Sequence, residues 1–236
     1  DALAYDDTYP KDFCEFDGVS GSYVSVPFSV DTGDAFEVIV TAASDDWARG
    51  SAGGGHQNLF SSSSTDLIFR LRREGGLALW LNGTQVAIES DSMGLVNGQT
   101  AWLKATGDGA GNYTLEYSTD GTNYTTHASS SASPTTGVIG SFYSGQIGGR
   151  HTSFVDSFDG QIIAAKWTSG ANTVLDIDFS TANARNNLAE TGQILTYNGG
   201  AAIPLSTLAN PMFQRDDSWT RLFEVGLNDS DAAKQS

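Results

Sequence analysis

The chain has 236 residues, of which 39% are hydrophobic and 11% aromatic, and this composition excludes a disordered protein because it supplies a sizeable core. The 28 acidic and 12 basic residues give a formal net charge of −16, which argues against nucleic acid or an anionic membrane as the partner. The single cysteine, Cys14, excludes an intramolecular disulfide, and no apolar run is long enough to insert into a membrane.

The first part of the chain predicts a leader followed by strands. Residues 1–12 are acidic, and we interpret them as a segment that lies over a neighbouring surface. Tyr23–Pro27 alternates as a strand does, and Pro27 should end that strand or place it at a sheet edge. Residues 36–40 predict a central strand. Residues 44–65 are predicted to be one long loop, and loops of this length are usually functional or mobile.

The stretch from Asp66 to His127 predicts a meander of antiparallel strands. Leu77–Leu81 and residues 84–88 alternate on either side of Asn82-Gly83. Asn-Gly between two alternating runs is the strongest short-range hairpin signal, because both turn residues must tolerate positive φ. Further strands follow in residues 101–106 and 113–117. The period of two excludes a helix and leaves one apolar face that a second sheet must cover.

The third part of the chain continues the pattern of short strands. Residues 129–134 form a polar connection, and residues 137–140 and 145–149 predict two short strands separated by glycine breaks. The apolar run 161–167 is typical of a strand that is buried on both faces. Residues 174–179 alternate cleanly and are predicted to close the sandwich.

Four motifs, in this order along the chain, carry a family resemblance. They are Phe16–Pro27, Leu77–Gly83, Ile147–Gly149 and Phe158–Ile162. In this order and spacing they resemble the opening strand, the middle hairpin and the closing strands of the concanavalin A-like, laminin G-like jelly roll. The resemblance covers about residues 13 to 180.

The resemblance implies an all-β fold, an antiparallel jelly-roll β-sandwich with short terminal extensions. The predicted domain spans residues 13–204. Residues 1–12 form the leader segment, and residues 205–236 form a C-terminal tail that we interpret as an attachment segment.

Further motifs are similar to a variant of this domain in bacteriophage virion proteins. They are Val174–Phe179, Thr191–Gln193, Tyr197–Gly199 and Tyr117–Tyr124. This similarity implies a structural or adhesive component of a phage particle, such as a decoration protein, head fibre or tail component. Its partners would be other virion proteins, copies of itself and host-surface glycans, and its location the virion surface. The alternative is a secreted or cell-surface lectin domain, which would be extracellular.

A glycoside hydrolase is the third alternative, and the sequence argues against it. A glucanase of this fold needs a Glu-x-Asp-x-x-Glu strand, because one carboxylate attacks while another donates a proton. Glu89-Ser90-Asp91 begins that pattern, but the third carboxylate is missing. Asp176 and Asp178 lie two residues apart and fit a solvated strand face. The sequence therefore predicts that the protein is not an enzyme.

Metal and cofactor signals are weak in this sequence. The three histidines are dispersed and have no ligand spacing. Related jelly rolls hold Ca²⁺ at loop carboxylates, so Asp45-Asp46, or Asp156 with Asp159, are candidate ligands, although no fixed ligand spacing is present. We predict no cofactor and no metal residue, with calcium kept as an open alternative.

Six residues in two loops are candidate carbohydrate-binding residues: Trp47, Arg49, His56, Tyr143, Arg150 and His151. Exposed aromatic rings stack on sugar faces, and arginine can pair with sugar carboxylates or hydroxyls. The alternative is that these aromatic residues anchor their own loops or a subunit interface. Trp80, Trp102 and Trp167 lie within strand patterns and are predicted to be core residues.

Two other groups of residues complete the prediction. Arg70, Arg72 and Arg73 form the basic cluster, which we interpret as a solvated face or as cross-strand ion pairs. In the tail, the large apolar residues predict an attachment surface, because free tails are depleted in such residues. The tail residues are Met212, Phe213, Trp219, Leu222 and Phe223. They cover either this domain's own sheet or a neighbouring subunit.

Overall fold

The computed structural model describes residues 13–19, 22–31, 33–48, 55–62, 67–89, 91–133, 138–149, 156–179 and 196–198. For residues 138–144 and 196–198 it describes the backbone alone. The predicted leader and the predicted tail, with its attachment residues, lie outside this part of the chain.

The described residues form β-strands joined by turns and loops. The strands are β1 Cys14–Asp17, β2 Tyr23–Asp31, β3 Phe36–Ser44, β4 Gln57–Ser62, β5 Leu67–Leu71, β6 Leu77–Leu81, β7 Thr84–Ile88, β8 Thr100–Gly107, β9 Asn112–Ser118, β10 Thr125–Ser131, β11 Val138–Ile147, β12 Asp159–Ser169, β13 Asn172–Asp178 and β14 Thr196–Asn198. In this part of the chain, no helix is long and apolar enough to cross a bilayer.

The strands build two seven-stranded antiparallel sheets. The first sheet has the order β1-β12-β3-β8-β9-β10, with β13 also paired to β12, and the second has the order β14-β2-β11-β4-β5-β6-β7. The chain alternates between the sheets from β1 to β4, runs as meanders from β4 to β7 and from β8 to β10, and then crosses again. This strand order confirms the predicted antiparallel jelly-roll β-sandwich.

Alternation along the strands places one face of each sheet in a shared core. Leu77, Leu79 and Leu81 are fully buried, as the sequence pattern predicts, and Cys14 packs in the same core. The ring of Trp167 packs between the sheets, with its centroid 5.2 Å from that of Phe28 and 5.3 Å from that of Phe36. The prediction that Trp167 is a core residue is confirmed.

The predicted hairpin at Asn82-Gly83 is confirmed as the turn between β6 and β7. Asn82 has a φ of 49° and Gly83 a φ of 71°, as a two-residue turn of this type requires. Leu81 pairs with Thr84 across the turn, so the turn determines the register of the hairpin.

The prediction of one loop over residues 44–65 is wrong, because β4 lies within it. All six residues of β4 are buried, although four of them are polar: Gln57, Asn58, Ser61 and Ser62. Polar composition predicted a loop, whereas pairing with β5 and β11 on either side makes the segment an interior strand.

Pro27 neither ends its strand nor places it at an edge, which corrects a second expectation. β2 continues to Asp31 and lies between β14 and β11. The register of β2 with β11 shifts between Ser141 and Gly145, opposite Pro27. The missing N–H of proline therefore falls where the ladder is already interrupted.

Three further strand predictions change at their bounds or faces. The two short strands predicted around residues 137–149 are one strand, β11, and β10 extends into the predicted polar connection as far as Ser131. β12 alternates between buried and more accessible residues, so it is buried on one face and not on both. Strand β13 confirms the predicted closing strand.

Candidate functional site

The structure describes some of the residues predicted to bind carbohydrate. Trp47 and His56 are described with their side chains, and Tyr143 lies in β11 with only its backbone described. Arg49, Arg150 and His151 lie outside the described residues. The predicted group of six therefore stays a prediction as a whole, and Trp47 and His56 can be placed individually.

Trp47 was predicted to bind carbohydrate as an exposed aromatic residue, and that prediction is wrong because its ring is buried. Its side chain is 2% exposed and belongs to the hydrophobic core. Its backbone N–H donates a hydrogen bond of 3.1 Å to Oδ1 of Asn97. Trp47 thus anchors its own loop to the core, and its ring is not presented for stacking on a sugar.

His56 lies instead beside a group of polar and charged residues on the outer face of the second sheet. We call His56, Asn58, Arg70, Trp80 and Asp156 the rim cluster. Arg70 and Trp80 project from β5 and β6 away from the core, because their neighbours along the strands project into it. Trp80 is half-buried on this outer face and is not a core residue, so its prediction is wrong.

Arg70 is held in a defined orientation within the rim cluster. Its guanidinium carbon lies 4.1 Å from the centroid of the Trp80 ring, and its Nη1 lies 3.9 Å from Oδ2 of Asp156. Cation–π contact and a nearby carboxylate together restrict the guanidinium, which reduces the entropy lost when it binds a ligand. Arg70 was expected to lie on a solvated face or in a cross-strand ion pair. It stacks instead on Trp80 of the neighbouring strand.

Asn58 is the residue of the rim cluster whose polar groups are least satisfied. It pairs with Arg70 in the register of β4 with β5, and its backbone N–H donates to the carbonyl of Asp156 at 2.9 Å. The side chain is fully buried, yet within the part of the chain that the structure describes neither Nδ2 nor Oδ1 has a hydrogen-bond partner. Leaving such groups unpaired costs about 1–3 kcal/mol each, so the site favours a polar molecule that can pair with them.

His56 is neutral under ordinary conditions because of its surroundings. Burial lowers the pKa of its imidazole, and the positive charge of Arg70 lowers it further, while Asp156 acts in the opposite direction. The ring nitrogen Nδ1 is buried and has no hydrogen-bond partner in the described segments. A neutral imidazole can donate at one nitrogen and accept at the other, which suits a ligand hydroxyl.

Gln57 fixes the end of the sandwich on which the rim cluster lies. Its Oε1 accepts hydrogen bonds from the backbone N–H of Asp159 at 2.9 Å and from Oγ of Ser44 at 3.4 Å, and its Nε2 donates to the carbonyl of Asp46. These contacts join β3, β4 and β12 around one buried amide. The sequence pattern did not indicate this support, because the partners are distant along the chain.

The basic cluster makes the rim locally positive in an acidic protein. Arg72 forms an ion pair of 3.4 Å with Glu74, and Arg73 is exposed. The positive charges of both guanidinium groups also lower the pKa of His56. These side chains make the rim less acidic than the net charge of −16 would suggest, which lowers the repulsion of an acidic ligand there.

The carboxylates considered for catalysis and for calcium have other contacts. The backbone N–H of Asp91 donates to Oε1 of Glu89 at 3.0 Å, so this carboxylate supports a local turn. Asp156 faces Arg70, and Asp45 is exposed. Among the described residues no three His, Cys, Asp or Glu side chains form a group that could hold a metal ion. Calcium at Asp45-Asp46 or at Asp156 with Asp159 remains a prediction.

Comparisons with known proteins give likenesses of fold. No protein-family model matches the chain, and no curated protein matches it. Mouse laminin alpha1 domains LG4-5 are 14% identical with a TM-score of 0.48, and the match covers 78% of this chain and 45% of that one. The laminin pair is of the kind that the sequence motifs resemble, and this chain spans less than half of it.

Two further solved structures are similar at comparable levels. The native heptameric SAP-like pentraxin from Limulus polyphemus is 13% identical with a TM-score of 0.46, covering 81% of this chain and 97% of that one. The CBM40 of a Ruminococcus gnavus IT-sialidase, bound to alpha2,3 sialyllactose, is 10% identical with a TM-score of 0.44, covering 67% and 90%. Function must therefore be argued from the residues of this chain.

Proposed function

We propose that the protein is a non-enzymatic adhesive module that binds saccharides through the rim cluster. The observation that carries this proposal is the fully buried amide of Asn58, which has no hydrogen-bond partner among the described residues. It lies beside an arginine already oriented by Trp80 and Asp156. Saccharide hydroxyls donate and accept hydrogen bonds at once, so a single sugar can pair with His56 and with the amide of Asn58. Because Asn58 is fully buried, the residues that cover it must move aside before a sugar can reach its atoms.

Arg70 supplies the second element of this recognition. A guanidinium can pair with two adjacent hydroxyls or with a sugar carboxylate, and its donors lie in a rigid plane. Because Trp80 and Asp156 already orient the side chain, the ligand need not immobilise it, and most of the binding energy is retained. No acid–base pair is required for this role, in keeping with the proposal that the protein does not catalyse a reaction.

The setting that we propose is the surface of a phage particle, where the module would contact host-surface glycans. The motifs that resemble virion jelly rolls and the acidic, apolar-rich segments at the two ends of the chain support this setting. Other virion proteins or copies of the chain would then hold the domain in place. A secreted or cell-surface lectin is the alternative, and it would use the same rim cluster without an attachment segment.

Binding to an array of host-surface and bacterial glycans tests the proposed function directly. The wild-type protein should bind a subset of the array, and the His56→Ala and Asn58→Leu variants should lose that binding while they keep the far-ultraviolet circular dichroism of a β-protein. His127→Ala is the matched control, because it removes a similarly half-buried histidine from the other sheet. An array without any wild-type signal would exclude the adhesive role.

Deleting residues 205–236 separates the virion setting from the lectin alternative. If the tail attaches the domain, the truncated protein should keep its melting temperature and its glycan binding but no longer assemble on the particle or into its oligomer. A large fall in melting temperature with assembly retained would instead place the apolar residues of the tail in the domain's own core.

A further inference from the structure

A second group of aromatic and charged residues lies on the opposite side of the molecule, on the outer face of the first sheet. Trp102 and Lys104 project outward from β8, because Ala101, Leu103 and Ala105 between and beside them are fully buried in the core. Trp102 is thus half-buried on the surface of the sheet, and the prediction that it is a core residue is wrong.

The neighbouring strand and turn complete this group. Lys104 pairs in register with Glu116 of β9, and its Nζ lies 2.7 Å from Oε2 of that residue. Tyr124, at the end of the turn between β9 and β10, lies with its ring centroid 4.0 Å from the same Nζ. We call Trp102, Lys104, Glu116 and Tyr124 the aromatic platform.

The turn that carries Tyr124 is rigid, and Asp120 makes it so. The carboxylate accepts hydrogen bonds from the backbone N–H of Thr122 at 2.8 Å and of Asn123 at 2.7 Å, and also from Nδ2 of Asn123 and Oγ of Ser118. These bonds hold the pKa of Asp120 far below its usual range. The platform is therefore organised before any ligand arrives, which lowers the cost of binding.

The turn also lies directly against the platform's tryptophan. Gly121 has a φ of +74°, and a Cβ at that position would lie 2.9 Å from Cε2 of Trp102. Glycine is thus required both by the backbone and by the close approach of the ring. The turn covers one edge of the Trp102 indole. Lys104 follows Trp102 two residues further along the same face and contacts the Tyr124 ring, so the rings of Trp102 and Tyr124 lie on the same side of the sheet.

The charge of the platform selects the class of ligand. The carboxylate of Glu116 neutralises the ammonium of Lys104. Burial is the main cause that raises the pKa of the Tyr124 phenol, and the negative charges of Glu37, Glu116 and Asp120 raise it further. An anionic ligand would be repelled by these carboxylates and by the net charge of −16. A neutral ligand rich in hydroxyl groups can donate to the carboxylates and stack on the rings.

We propose that the aromatic platform is a second binding site and that its ligand is a neutral saccharide. The C–H face of a pyranose ring would stack on Tyr124 and Trp102, while its hydroxyls donate to Glu116 and Glu37 and accept from Lys104. This site differs from the rim cluster in its sheet, in its residues and in the charge of the ligand that it accepts. The proposal of this second site depends on contacts of the aromatic platform alone, which the proposed function does not use.

Isothermal titration with uncharged hexasaccharides of glucose, galactose, mannose and N-acetylglucosamine tests this inference. The wild-type protein should bind at least one of these probes, and Tyr124→Ala should weaken that binding about threefold to tenfold, the loss expected for one aromatic contact. Tyr124→Phe keeps the ring and should retain most of the affinity. Trp102→Ala should weaken the binding by a similar factor.

Two controls separate this site from the rest of the molecule. Thr122→Ala changes an exposed residue of the same turn and should leave the affinity unchanged, and so should His56→Ala in the rim cluster. Melting temperatures monitor folding of each variant, and the pair Tyr124→Ala and Tyr124→Phe remains informative if Trp102→Ala fails to fold.

Three results would overturn the inference. One is the absence of saturable binding of every neutral probe by the wild-type protein, even if charged glycans bind at the rim cluster. Another is neutral-sugar binding that is lost in His56→Ala but retained in Tyr124→Ala, since that would assign it to the rim cluster. The third is a concentration-dependent dimer, abolished by Tyr124→Ala and accompanied by no sugar binding, since that would make the platform a contact between copies of the chain.

Discussion

The outer faces of the two sheets carry charged pairs in different surroundings. On the first sheet Lys104 and Glu116 lie 2.7 Å apart among half-buried or exposed neighbours, such as Glu37 and Lys166. On the second sheet Arg70 and Asp156 are 3.9 Å apart, and the neighbouring outward residue Asn58 is fully buried. The pairs themselves are similarly shielded, with side chains 16% and 18% exposed on the first sheet and 13% and 9% exposed on the second. The faces differ in the neighbours, which form an open platform around the first pair and an enclosed polar cluster around the second.

This difference changes what a polar group contributes to stability. On the open face, a flexible lysine stem can carry its ammonium to water when the partner is lost, so the loss of an ion pair there costs little. On the enclosed face, a group without its partner keeps the full cost of leaving water. An enclosed group that lacks a partner among the described residues, as Asn58 does, points to a ligand or to strain, and an open group does not.

Removing the acidic partner from each pair should give the largest contrast. Asp156→Ala should lower the free energy of unfolding by about 3 kcal/mol, because it leaves a largely buried arginine charge without its carboxylate. Glu116→Ala should cost less, about 1 kcal/mol, because the flexible stem of Lys104 can carry its ammonium to water. Urea denaturation of both variants checks the contrast, and equal losses would contradict it.

The turns at the two sheets should respond differently to a branched side chain. A side chain at Gly83, in the β6–β7 turn, would meet open space. Gly83→Val should therefore lower the free energy of unfolding by at least roughly 1 kcal/mol through the positive φ alone. Gly121→Val adds a collision with the Trp102 ring and should cost about 2 kcal/mol or more. The midpoint of denaturant unfolding measures both, and unchanged stability of Gly83→Val would place the hairpin turn elsewhere.

Two buried polar residues on the enclosed face provide a sharper test, with a smaller expected change in stability. Asn58→Leu should leave stability unchanged or raise it by up to about 1 kcal/mol, because it removes amide atoms that have no partner. Ser61→Ala should lower stability by about 1 kcal/mol, because Oγ of Ser61 donates a hydrogen bond of 3.0 Å to the carbonyl of Gly149. If Asn58→Leu is as destabilising as Ser61→Ala, the amide is paired in solution and the argument for a ligand fails.

The smallest expected effect is a dependence of stability on pH near neutrality. Burial is the main cause that lowers the pKa of His56 and of His127 below the ordinary value of 6.5. The unfolded chain then binds more protons than the folded one as pH falls below 6.5, so stability present at pH 7 is lost toward pH 5.

Substitution of the two histidines assigns this pH dependence to a face of the molecule. His56→Gln and His127→Gln should each flatten part of the curve of melting temperature against pH. Asp120, whose pKa is lowered by its hydrogen bonds, contributes only below its usual value of 3.8 and therefore falls outside this window. A curve that is unchanged in both histidine variants would assign the loss to other groups.

The sequence alone determined the features that depend on local patterns. Alternating Leu77, Leu79 and Leu81, interrupted by Asn82-Gly83, predicted both the buried face and the hairpin, because period and turn chemistry act over a few residues. Trp167 was assigned correctly to the core from its strand pattern, although the same reasoning was wrong for Trp80 and Trp102. The order of the motifs was enough to predict the jelly roll.

Only the tertiary structure decided the identity of β4 and the environment of the outward-facing residues. Gln57 and Asn58 read as loop residues, yet strands on both sides of them and a partner 102 residues away, Asp159, make them interior. The two-residue alternation of a strand shows that Trp80 and Trp102 project to the side opposite their neighbours. It does not show which of the two sides lies in the core. That choice, and with it the pairing of Arg70 with Trp80, depends on contacts between segments far apart in the chain, which local patterns do not encode.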